Sequence, residues 1–128
     1  VAASVESYGV GCPGSSSPRL SGFGRPFLGS AGFAIDLVGG ASNASAVLLL
    51  SSASGAFPVG NCTLLVDPSV MIPVPIVTNS AGFKSVTLAP PDAVVWIGAQ
   101  VFAQGLVSES LSLTDLTLTN GVAIVIGQ

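Results

Sequence analysis

Three short runs of this 128-residue chain are apolar in both strand phases: SAVLLLS (45–51), VVWIGAQVF (94–102) and GVAIVIG (121–127). Side chains alternate between the two faces of a strand, so a strand that is apolar at odd and even positions alike must be covered on both sides. Gly, Pro, Ser and Asn cut such runs every eight to twelve residues or so, the spacing of an all-β sandwich or barrel. The pattern predicts strands near residues 2–9, 32–38, 45–51, 61–66, 71–77, 83–89, 94–104, 111–118 and 121–127. It predicts an antiparallel β-sandwich, Ig-like or jelly-roll-like, built as one domain over residues 9–128 with an N-terminal extension strand over residues 1–8. No helix is predicted to cover the doubly apolar strands. That leaves two candidates: loops such as residues 13–31, or a neighbouring subunit.

Local chemistry sharpens parts of this plan. In LTNGVAI, Asn120-Gly121 suits a type I′ turn and predicts a hairpin of the last two strands. TNSAGF (78–83) predicts a second, looser hairpin loop carrying Gly82. In IPVPIV (72–77), Pro73 and Pro75 lie two apart, so both missing N–H groups point the same way, and the run is predicted as an edge strand with a blunted edge. Phe33, Phe57 and Phe102 sit where core residues belong, and LSLTDLTL slips its alternation at Asp115, which suggests a bulge.

Only nine residues are charged, three basic and six acidic, for a net charge of −3. An ordinary domain carries about 25% charged residues; a chain with 7% needs another source of solubility, such as burial in an assembly or a coat of glycans. Three unclustered cations argue against a nucleic-acid partner. No segment reads as a transmembrane helix, because every long uncharged stretch is interrupted by Gly, Ser, Asn, Gln or Pro.

The chain offers little catalytic chemistry. There is no histidine, which excludes His-based triads and metal sites. Asp36, Asp67, Asp92, Glu109 and Asp115 could in principle supply a glycosidase pair, but Asp67 in VDPS and Asp92 in PPDA read as turn formers. Gly9, Gly11 and Gly14 stand at G-x-G-x-x-G spacing, yet Pro13 interrupts the motif and no helix follows, so no nucleotide fingerprint is read there. No enzyme activity, cofactor or metal is expected.

Cys12 and Cys62 allow one intrachain disulfide, the alternative being two buried thiols. A start at Val1 with small residues after it, low Lys and high Ser and Gly favour a secreted, extracellular protein. Asn43-Ala-Ser45 and Asn61-Cys-Thr63 are N-glycosylation sequons, and Ser15, Ser16 and Ser17 are candidate O-linked sites.

The leading segment VAASVES alternates Val1, Ala3 and Val5 against Ala2, Ser4 and Glu6, and joins the body through Gly9 and Gly11. Such a strand can complete its own sheet or a neighbour's. In donor-strand complementation, main-chain hydrogen bonds and alternate side-chain anchors hold an extended arm in another subunit, and a head-to-tail interface of this kind grows a filament. The expected function is therefore a structural subunit of an extracellular homopolymer. Val1, Ala3 and Val5 would be the inserted anchors, Val122, Ile124 and Ile126 the acceptor groove, and Gly9 and Gly11 the hinge. The alternative is a secreted, monomeric carbohydrate-binding module using Trp96 or Tyr8.

YGVGCPGSSSP, LVDPS, TNSAG and LTNGVAIVIG resemble recurring pieces of uncharacterised secreted β-domains of environmental bacteria, and the architecture resembles donor-strand filament subunits such as those of pili. The first resemblance implies a secreted β-domain without assigning an activity. The second implies assembly through the N-terminal segment.

Overall fold

The computed structural model describes residues 3–9, 11, 18–24, 26, 33–40, 43–59, 62–87, 98–108 and 116–127. Within them the chain forms ten strands: β1 (Ser4–Tyr8), β2 (Arg19–Phe23), β3 (Ala34–Val38), β4 (Ser45–Ser51), β5 (Ser54–Val59), β6 (Cys62–Val66), β7 (Met71–Val77), β8 (Lys84–Thr87), β9 (Gln100–Ser108) and β10 (Leu116–Val125). All described pairings are antiparallel. A five-stranded sheet runs in the order β1-β10-β9-β4-β7, a three-stranded sheet in the order β2-β3-β8, and β5 pairs with β6. The expected all-β sandwich is what the chain builds.

Neighbouring strands lie against both sides of the apolar runs at 45–51 and 121–127, whereas residues 94–97 of the third run lie outside the described residues. Residues paired across an antiparallel ladder share a face, so the registers divide the large sheet into two sides. On one side Ala46, Leu48, Ala103, Val107, Val122 and Ile124 pack against Leu20, Phe33, Ile35 and Leu37 of the three-stranded sheet and its approach. Fully burying a side chain of the size of Leu48 or Ile35 contributes about 1.5–3 kcal/mol. On the other side, Gln104 carries the β5–β6 hairpin. Its buried side chain accepts from Leu65 N–H at 2.8 Å and donates to the carbonyls of Thr63 at 3.0 Å and Thr119 at 2.9 Å. A buried amide without partners is costly. Here its bonds tie β6, β9 and β10 together.

Several expectations are corrected. Asn120-Gly121 is not a hairpin turn. β10 runs straight through it, and the ladder with β9 shifts register between Leu118 and Gly121. The Asn120 amide instead accepts from Leu20 N–H and donates to Leu20 C=O, both at 2.9 Å, so this side chain satisfies the backbone of the opposite sheet. TNSAGF is not a hairpin loop either: β7 pairs with β4 and β8 with β3, so the turn crosses between sheets. There Asn79 Oδ1 accepts from the N–H groups of Ala81 and Phe83. Residues 13–31, read as loop, contain β2, and SGAFPV forms β5, which leaves Phe57 exposed rather than in the core. β9 starts at Gln100 and continues to Ser108. Trp96, Asp92, Glu109 and Asp115 lie outside the described residues.

Candidate assembly site at the β1 edge

β1 is an outermost strand of the large sheet. Its five residues pair in order with β10: Ser4 with Val125, Val5 with Ile124, Glu6 with Ala123, Ser7 with Val122 and Tyr8 with Gly121. Alternation in SVESY sends Val5 to the inter-sheet core, against which it packs half-buried, while Glu6 stays exposed. Ala3, just before the strand, is buried. Val122 and Ile124 lie in the core beneath this edge. Ile126, also buried, lies past the strand, where its backbone bonds to Gly98 and Ala99.

Two contacts on opposite faces hold β1 in addition to its ladder. On the core side, Val5 stands over Gly22 of β2: a Cβ at Gly22 would lie 2.5 Å from Val5 Cγ1. On the other side, the Tyr8 ring covers Gly121, where a Cβ would run into the ring. Tyr8 also meets Phe102 edge-to-face, with centroids 6.0 Å apart at 86°, and its hydroxyl donates to Leu65 C=O at 2.7 Å. Burial raises the Tyr8 pKa above its ordinary value, because the phenolate is poorly solvated there. The ring thus packs on Gly121 and Phe102, and the hydroxyl bonds to β6, on the face away from the inter-sheet core.

The predicted hinge residues are placed differently from each other. Gly9 takes a left-handed φ of +66°, which glycine adopts without strain. Gly11 is wedged against the carbonyls of Leu118 and Thr119, with no room for a side chain, and its own carbonyl accepts from Thr63 N–H. Cys62 opens β6. Asn43 is exposed at φ +48° and donates its N–H to Asn79 C=O at 2.9 Å. Val1, Cys12, Ser15, Ser16, Ser17 and Asn61 lie outside the described residues.

Gly22, Tyr8 and Gly121 were not legible as parts of one site. Gly22 falls in a segment read as loop, and Gly121 looked like half of a turn. The available signal was Tyr8 itself, the chain's single tyrosine, at the end of an alternating strand.

Elsewhere the large sheet bears an open apolar groove of about 340 Å³ between Val47, Pro75, Val77 and Leu106. A polar cleft of about 550 Å³ lies between β1 and β2, with Ser4, Glu6 and Ser21 in its walls. Among the described residues no group of His, Cys, Asp or Glu could hold a metal ion, and no helix is long and apolar enough to cross a membrane. No protein-family model, curated protein or solved structure matches the chain.

Proposed function

We propose that the chain is a structural, non-enzymatic subunit of an extracellular filament, which polymerises when β1 leaves its own β10 and pairs with β10 of the next copy. The observation that carries the reading is the five-residue ladder of β1 with Ser4–Tyr8 against Gly121–Val125 at one rim of the sheet. An exchanged strand makes the same ladder and the same side-chain contacts as the closed chain, so exchange needs no new interface and little free energy. Gly9 gives the linker conformational latitude just after the strand. The body past it is anchored, because Gly11 is hydrogen-bonded to Thr63. That bond joins the neighbours of Cys12 and Cys62, and Cys62 is not without a partner, which supports a Cys12–Cys62 disulfide and with it a secreted location. The exposed Asn43 sequon supports a glycan at that position.

The test uses the register pair Glu6 and Ala123, whose side chains share the face away from the inter-sheet core. One full-length chain carries Glu6→Cys alone, a second Ala123→Cys alone, and the two are mixed, assembled and oxidised. Strand exchange predicts a disulfide between the two chains. If a bond forms only when both cysteines are placed in the same chain, β1 stays at home and the filament reading is wrong.

A further inference from the structure

We infer that Gly22 and Gly121 are paired sockets that select the strand lying beside β10, so that the acceptor site is specific for an extended peptide with a β-branched residue followed three places later by an aromatic one. The inference rests on the exchange reading for its partner, another copy's residues 3–9, but its chemistry is local. A three-residue spacing puts two side chains on opposite faces of a strand. Val5 enters the space over Gly22 in the inter-sheet core, and Tyr8 lies over Gly121 on the outer face.

Each socket exists because a side chain is missing, and each lies in a different strand, β2 and β10. The ladder alone would accept many sequences, since backbone groups carry no sequence information. The Tyr8 socket has a polar contact as well: the hydroxyl donates to Leu65 C=O, so phenylalanine would fill the space without making the bond. A strand shifted by one residue would turn Val5 outward and the tyrosine inward. Ser4 or Glu6 would then take the place over Gly22, and Ser7 or Gly9 the place of the ring over Gly121.

The experiment captures fluorescent peptides during refolding of the full-length chain. The native peptide ASVESYG is compared with one in which Tyr8 is replaced by Ala, one in which it is replaced by Phe, and one carrying an extra alanine after Glu6, which keeps both anchors but changes their spacing to four. Full-length Tyr8→Ala is a second receptor with a weakened strand of its own. Wild-type chain refolded in peptide excess keeps the result independent of that variant's folding. The native peptide is expected to be captured, the Phe peptide more weakly, and the Ala and inserted peptides at least about tenfold more weakly still, as befits loss of a central aromatic anchor. Gly22→Val in the receptor should abolish capture. Equal capture of native and inserted peptides, or no capture of the native peptide by either receptor, overturns the sockets. A chain that selects peptides in this way but never cross-links to a second copy keeps the sockets and loses the filament; chains that exchange strands without discriminating peptides do the reverse.

Discussion

The two rims of the five-stranded sheet are built in opposite ways. At one rim, β7 pairs with β4 over seven unbroken residues, with Pro73 opposite Leu49 and Pro75 opposite Val47. Proline cannot donate to a ladder, so the N–H groups facing β4 belong to Ile72, Val74 and Ile76, and both rings interrupt the outer side. At the other rim, β1 has five pairs, no proline and two glycine-lined contacts on its partners. One rim therefore refuses a further strand and the other is shaped around one. In the proposed filament the β1 rim is the one that would receive another copy's strand, while the proline rim opposes lateral pairing.

The sharpest way to break this contrast is to truncate one residue on each rim. Tyr8→Ala removes an aromatic contact and a hydrogen bond, and is expected to cost about 2–4 kcal/mol in chemical denaturation. Ile72→Ala on β7, where the side chain is 64% exposed, should stay within about 0.5 kcal/mol. Comparable losses would mean that β1 is no better anchored than a surface strand.

A second change attacks the closed rim. Replacing Pro73 and Pro75 together with Thr restores two outward N–H groups at a strand whose Ile72 and Val77 are exposed. Lateral, concentration-dependent association should follow in light scattering, with fold stability altered by less than about 1 kcal/mol. A double variant that scatters no more than wild type would show that the prolines do not guard this rim.

How much of this was readable beforehand depended on whether the information was local. β4 and β7 are found at the predicted residues, because punctuation by Ser, Asn and Gly and the spacing of the two prolines are short-range signals. The continuity of β10 was hidden. Asn120 looks like a turn residue until Leu20, 100 positions away, supplies a pair of partners for its side-chain amide. β5, absent from the predicted strands, was hidden for the same reason: its partner β6 and the support β6 takes from Gln104 are tertiary. At the candidate site, the alternation of VAASVES was visible and so was the apolar run at 121–127. The glycine contacts that distinguish Tyr8 from Val5 were not, since a missing side chain says nothing until its neighbour is known.

The rims also differ in the pH at which they should loosen. Tyr8 has a raised pKa in the folded chain, so its contribution is complete below the ordinary tyrosine value of 10.0 and is lost as pH rises through the higher folded value. With one tyrosine in the chain, absorbance titration reads it directly, and undocking of β1 should track it. Ionisation at the ordinary value with no change in β1 would contradict the packing described. Asp67, at the turn leading into β7, is held below its ordinary 3.8 first by the backbone N–H of Ser69 and then by its hydroxyl. Its small contribution is present above that value and fades as pH falls through the lower folded one. Asp67→Asn should therefore flatten only the acid limb of a stability profile, and an effect confined to alkaline pH would be the wrong sign.

In the proposed filament, the strand beside Gly121–Val125 comes from another copy. Electron cryomicroscopy of fibres grown from full-length chain tests it by tracing residues 11 back to 4. The expected density leaves one body at Gly9 and enters the next as its β1, with Tyr8 over the neighbour's Gly121. Full-length chain that stays monomeric at high concentration, or fibres in which the trace returns to its own β10, would contradict it.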